Sequence, residues 1–233
     1  MKKIETLIKE LTVICNKSDR QARNYLVRAR EMKDRFGDGF AVIYCWFYSV
    51  PQKWTIIEPK IFELIEPTNS FDLETMIKIP AEQLALPLKA VIFSKVLSIQ
   101  MKNFCKAIRV EYGSWDDFVH ELRDQNLFKI FRRLRKYRNI RVTFKNLMAM
   151  KIFLGKEDDL MILDGHIADF LRIDEKLLAK CKSQEPYLRD LLETSQRITN
   201  QLRMQGLQYM TTAIWTLSVW FEKSKVMPNE LLK

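Results

Sequence analysis

Two charged residues in the stretch FKNLMAMKIFLGKEDDLMILDGHIADFL, residues 144–171, could do chemistry: Lys145 and, nineteen positions later, Asp164. An amine attacks carbon only when neutral, and at pH 7 a lysine is ordinarily protonated. Burial, nearby positive charge and a helix N-terminus each disfavour the ammonium and lower its pKa. Lys145 has a claim to all three, because it opens the apolar helix Phe144–Leu154 at the end of a basic run. Lys151 is the rival within that helix. It lies six residues on, on a different face, and lacks the N-terminal position. Asp164 can cap the segment Gly165–Leu171, and taken alone capping is its expected role. His166 is more often a hydrogen-bonding helix residue than a catalytic one. With no second histidine nearby and no cysteine cluster, it does not read as a metal ligand. Both charges are thus open to two readings: ordinary helix-end residues, or groups sharing one pocket.

The run before the lysine narrows the partner. Residues 129–145 hold eight basic side chains and no acidic one, among them Lys136, Arg138 and Arg141. A solvated helix face normally mixes signs to limit repulsion. A phosphate backbone would relieve that repulsion and release its counterions. Nucleic acid is favoured over a membrane, since Leu127, Phe128, Ile130, Phe131 and Leu134 read as one core-facing stripe and not as a lipid-facing wedge. The formal charge of +10 and pI near 9.4 point the same way.

The elements that must position these residues are helical. The 233 residues are 47% hydrophobic with only six glycines and seven prolines, which excludes bulk disorder and favours helices. Apolar positions recur three and four apart over residues 2–15, and a charged helix is expected over 18–35 with Ser18 or Asp19 at its start. Gly37, Asp38 and Gly39 break the chain before FAVIYCWFYSV at 40–50, which is too short to span a bilayer. A long helix is expected from Leu88 to Tyr112, ended by Gly113. Ser114 and Asp117 then form a capping-box-like start. Further helices are expected at 126–140, 165–172, 186–204 and 207–224, and the class is all-α with ten or more helices. The four cysteines form no CxxC pair, which speaks against zinc or iron–sulfur sites. The beginning of the chain shows no signal-peptide pattern, so reduced thiols in a cytoplasmic protein, nucleoid-associated if prokaryotic, are expected.

A lysine opening an apolar helix, Gly155 ten residues on, and then LMILDGHIADFL together resemble the helix–hairpin–helix DNA glycosylase/lyase superfamily, closest to the type-2 and archaeal 8-oxoguanine DNA glycosylases. The match covers about residues 138–171, with a further similarity in the tail segment VWFEKSKV. The resemblance implies two helical lobes with a DNA-binding cleft between them. Residues 50–160 form a central lobe with the hairpin-like segment and catalytic lysine; residues 1–49 and 161–233 form the second. It also implies that Lys145 is the Schiff-base nucleophile and that Asp164 stabilises positive charge on the sugar. KYRNIRVTFK lacks the family's hairpin glycines, so the hairpin is atypical and Arg138 and Arg141 would meet phosphate directly, with Lys136 and His166 nearby on DNA. Gly165 stands where the family has arginine. For the base pocket, the family's tail points to Trp220 first, Trp215 second, and the terminal Lys233.

The expected activity is therefore base-excision repair. The enzyme removes 8-oxoguanine from duplex DNA and nicks the strand as an AP lyase, acting as a monomer with no metal or organic cofactor. The alternatives are a glycosylase for another lesion, such as an oxidised pyrimidine or alkylated purine, or a non-enzymatic basic helical nucleic-acid-binding protein.

Overall fold

Helices form where the apolar spacing places them. In the computed structural model the chain is described over residues 4–124 and 126–224, and these contain twelve α-helices, two 3-10 turns and no strand. The protein is all-α. The helices are α1 Ile4–Trp46, α2 Trp54–Phe62, α3 Leu73–Lys78, α4 Ala81–Ala85, α5 Ser94–Glu111, α6 Trp115–Asp124 and α7 Leu127–Leu134. Then follow α8 Phe144–Phe153, α9 Gly165–Leu171, α10 Glu175–Ser183, α11 Glu185–Met204 and α12 Thr212–Ser224. None is long and apolar enough to cross a membrane, among the described residues.

The chain divides into a central unit, Ala29–Leu154, and a terminal unit of Met1–Arg28 with Gly155–Lys233. The divisions fall at 28/29 and 154/155, where the sequence suggested 49/50 and 160/161. The central unit carries twenty-one basic against fourteen acidic residues, so it holds +7 of the chain's +10.

Several elements differ from expectation. The helix expected over 126–140 ends at Leu134, and the one expected over 207–224 begins only at Thr212. The two helices expected over 2–15 and 18–35 are one. The apolar positions Leu7, Leu11, Cys15, Ala22, Tyr25 and Ala29 continue a single buried stripe in which Ser18 is itself buried, so Ser18 starts nothing. The break comes at Gly37, where the sequence placed it: its φ of 87° and ψ of 174° are not helical, so α1 is two helical stretches joined at a kink there. The helix expected from Leu88 begins only at Ser94, because Phe93 takes a left-handed conformation at φ 58°. And α10, not expected, is started by Asp174, whose carboxylate accepts from the Leu177 N–H at 2.8 Å.

In the central unit the core is aromatic. Phe40 meets Tyr44, Phe62 and Phe71, and the Trp115 indole N–H donates to the Phe71 carbonyl at 2.8 Å. Gly39 is required at this crossing, since a Cβ there would lie 2.6 Å from the Phe71 carbonyl oxygen and 2.8 Å from the Trp115 ring nitrogen. The start of α6 is capped as the sequence suggested: Ser114 Oγ accepts from the Asp117 N–H at 3.1 Å and donates to its carboxylate at 2.7 Å. In the terminal unit α9 packs on α12, and α11 on both α10 and α12. Lys17 pairs with Glu222 at 3.0 Å, and Tyr25 meets Phe221 edge-on, tying the N-terminal part of α1 to α12.

Candidate active site around Lys145

The position of Lys145 is set by its neighbours in the chain. Helix α7 buries Leu127, Phe128, Ile130, Phe131 and Leu134, and its Phe128 and Phe131 rings lie 4.7 and 4.1 Å from the ring of Phe144. The apolar stripe read from the sequence is thus core. Lys129 and Arg132 between its members, and Lys136 and Arg138 beyond it, are exposed, whereas Arg133 is half-buried and pairs with Glu111 at 3.6 Å and Glu121 at 3.1 Å. The chain then reverses through a turn at 135–139. A glycine is not needed there, because Asn139 adopts the left-handed conformation at φ 57°, which asparagine tolerates better than most residues.

Helix α8 begins with a full capping box. Thr143 Oγ1 accepts from the Asn146 N–H at 3.3 Å, and Asn146 Oδ1 accepts from the Thr143 N–H at 3.0 Å. Asn146 is fully buried and its amide nitrogen also donates to the carbonyls of Cys45 at 2.9 Å and Trp46 at 2.8 Å. These belong to the last turn of α1. One side chain therefore caps α8 and pins its first turn to α1. Lys145 is the second residue of that turn, half-buried, so the positive end of the helix dipole acts on its backbone neighbourhood.

Arg141 makes a second tie. Its Nε donates to Ser49 Oγ at 3.0 Å and its Nη2 to the Ser49 carbonyl. Burial holds its guanidinium below the usual arginine pKa. Expected on a DNA phosphate, Arg141 is instead turned inward, because Ser49 offers two acceptors at the end of the 3-10 turn Phe47–Ser49.

That turn also delivers Tyr48. The Lys145 ammonium nitrogen lies 6.0 Å from the Tyr48 ring centre. Tyr48 stacks on Trp54 at 4.6 Å and 10°, with Phe153 5.6 Å and Tyr44 6.0 Å away. Behind the stack the Tyr44 hydroxyl donates to Glu58, a buried carboxylate on α2. The Trp54 ring nitrogen is buried and has no hydrogen-bond partner. Lys145 thus sits beside an aromatic wall with a buried acid behind it. The sequence reading missed Asn146, Tyr48, Trp54 and Glu58. The signal was present as aromatic density in FAVIYCWFYSVPQKW, which reads as a core segment when taken alone.

The other expected site residues lie in the terminal unit. Asp164 caps α9, its Oδ1 accepting from the Ile167 N–H at 2.9 Å, and is half-buried. His166 is exposed on the first turn of α9. Gly165 has nothing within 4 Å of where a Cβ would be, so a larger side chain fits there. Trp215 is fully buried, and its ring N–H donates to Thr199 Oγ1 at 3.0 Å. It is a core residue of α12, and its ring offers no open face to a base. Trp220, five residues on, is half-buried against Phe221. Lys233 lies outside the described residues. The structure brings Lys145, Arg141, Lys136 and Arg138 onto one unit. It brings the helix of Asp164 and His166 against that of the two tryptophans. Among the described residues no group of three or more His, Cys, Asp or Glu side chains could hold a metal ion.

Comparison with protein-family models, with curated proteins and with solved structures finds no match for this chain.

Proposed function

We propose that the chain is a DNA glycosylase with AP lyase activity, that it removes oxidised guanine from duplex DNA, and that Lys145 is its nucleophile. The observation that carries this reading is the placement of Lys145: a half-buried lysine in the first turn of a capped helix, held by Asn146 and facing an aromatic wall. A lysine whose only task was to meet phosphate would not need a buried amide fixing its backbone. The exposed Lys136 and Arg138 on the turn before α8 supply the phosphate contacts, and the +7 charge of the central unit supplies the long-range attraction.

The chemistry follows from an amine and a carboxylate. The damaged nucleotide leaves the stack, at a cost of a few kcal/mol that is lowest for a damaged base. The neutral Lys145 amine attacks C1′ and the glycosidic bond breaks. The departing base keeps the bonding electrons and takes up a proton. The amine loses a proton and the sugar ring opens, leaving a protonated Schiff base between Lys145 and C1′. Loss of a proton from C2′ then expels the 3′ phosphate and nicks the strand, and water releases the lysine. The resemblance of LDGHI to the glycosylase superfamily supports Asp164 as the carboxylate of this scheme, with the role of stabilising positive charge on the sugar as the base departs. Capping engages its Oδ1 and is compatible with that role.

Borohydride reduction in the presence of a duplex containing 8-oxoguanine should trap a covalent adduct with the wild type and none with Lys145→Ala. Asp164→Asn should bind the duplex and lose most turnover. Equal trapping by Lys145→Ala and the wild type would refute the assignment. Trapping on a panel of other lesions but not on 8-oxoguanine would keep the enzyme and change its substrate. Salt-sensitive binding without any nick would leave a basic nucleic-acid-binding module.

A further inference from the structure

The central unit displays an aromatic side chain in an unusual way. Phe93 is 66% exposed and has a left-handed backbone at φ 58° and ψ 30°. A bulky residue without glycine's freedom rarely holds that conformation, and where one does the surroundings hold it in place. Here the backbone is fastened on both sides. The Val91 N–H donates to the Leu88 carbonyl at 2.7 Å, and the Leu97 N–H to the Phe93 carbonyl at 2.8 Å. Gln52 clamps the intervening segment, donating to the Ala90 carbonyl at 2.9 Å and accepting from the Ile92 N–H at 2.8 Å. The loop is fixed while the ring is left in water.

The surroundings of Phe93 indicate what it meets. Ile92, Val96 and Ile99 are exposed beside it in the chain, and so are Lys89 and Lys95. Residues 83–110 include five basic side chains and no acidic one. Two of the five are engaged, Arg109 with Glu74 and Lys102 with the Ile79 carbonyl, which leaves Lys89, Lys95 and Lys106 on the surface. An apolar tip flanked by lysines suits a polyanion whose interior is apolar and layered.

We infer that Phe93 is a wedge that enters between stacked base pairs of a DNA duplex, with Lys89 and Lys95 on the neighbouring phosphates. Inserted apolar side chains unstack a base step and kink the duplex. The inference rests on the DNA reading of Lys145 and extends it, naming the surface that opens the duplex. A membrane is the weaker occupant. The inner face of α5, through Leu97, Met101, Phe104, Cys105 and Ile108, is committed to the core, so the helix has no wide apolar face to lay into lipid.

Two variants test this. F93W places an emitting ring at the tip, and the difference between its emission and that of the wild type reports stacking. Saturation with an undamaged duplex should quench that difference, whereas anionic phosphatidylserine vesicles should leave it unchanged. F93A, unaltered in helical content by circular dichroism, should trap borohydride adducts on a lesion-bearing duplex about tenfold or more slowly, the cost of unstacking without help. On the same lesion in a single strand it should match the wild type. Unquenched emission on saturating duplex overturns the wedge, as does a blue shift with vesicles alone, which reassigns the patch to lipid. Unmoved F93W emission together with Lys145-dependent trapping sinks the wedge and spares the enzyme. Quenched emission with no trapping in the wild type sinks the enzyme reading and spares the wedge.

Discussion

Replacing Asn146 with alanine should cost more than any other single polar substitution near Lys145, and the structure allows the cost to be worked out. The side chain donates two hydrogen bonds to the Cys45 and Trp46 carbonyls and accepts one from the Thr143 backbone. Each buried bond contributes about 1 kcal/mol net, and a cap about the same. The sum is about 3 kcal/mol, before any cavity term. In a chain of this size each kcal/mol moves the midpoint by about 2–4 °C, so Asn146→Ala should melt about 6–12 °C below the wild type. The substitution also frees the first turn of α8, so borohydride trapping measured well below the melting range should slow while Lys145 remains present. Asn146→Asp sharpens the test. Its carboxylate would face two carbonyl oxygens, which raises its folded-state pKa above the unfolded value. The folded protein then holds the proton more tightly, and the variant should gain stability as the pH falls through that raised pKa. Differential scanning fluorimetry at two pH values reads both effects. A loss below about 2 °C for Asn146→Ala, or an Asn146→Asp midpoint indifferent to pH, would show that the tie between α8 and α1 is not what holds the site.

Other outcomes follow from the same geometry. Replacing Lys136 and Arg138 together with alanine should lower the salt slope of duplex binding by about two units with little change in melting, because both are exposed. Arg141→Ala should do the reverse, lowering the midpoint through loss of the Ser49 bonds. Gly39→Ala should destabilise by about 2 kcal/mol or more, since its methyl meets the backbone of Phe71, which cannot move like a side-chain end. Burial pushes the Cys15 thiol from 9.0 up to about 12, and pushes those of Cys45 and Cys105 up as well. Their stabilising contribution is complete below the unfolded thiol pKa near 9.0 and is lost as the pH rises toward about 12 for Cys15. Midpoints recorded from pH 8 upward should therefore fall before the tyrosines and lysines alone account for it, and Cys15→Ser should flatten that fall.

The sequence carried the local decisions. Apolar spacing marked the stripe of α7, Ser114 and Asp117 marked the start of α6, and Asp164 marked the start of α9. All of these signals act within about one helical turn, where the partners are a few residues apart and the backbone brings them together unaided. The charge of the run at 129–145 was equally plain, as was its split between a buried apolar face and an exposed basic one. What the linear pattern could not show was which of those basic residues stays outside. Arg141 and Arg138 look alike in the chain, yet one is consumed by Ser49, ninety-two residues away in sequence.

The same holds for the site itself. That Lys145 opens an apolar helix is a property of residues 143–154 alone, and so the sequence determined its place in the first turn. That the turn is nailed to Cys45 and Trp46, and that Tyr48, stacked on Trp54, stands beside the amine, depends on contacts spanning about a hundred positions. Trp215 and Trp54 are both large aromatics on helices, but only the fold made one a hydrogen-bonded core residue and left the ring nitrogen of the other without a partner. A helix can choose its own residues by propensity and caps. Which neighbour a side chain meets is chosen by long-range packing, whose loop-closure entropy no short stretch of sequence records.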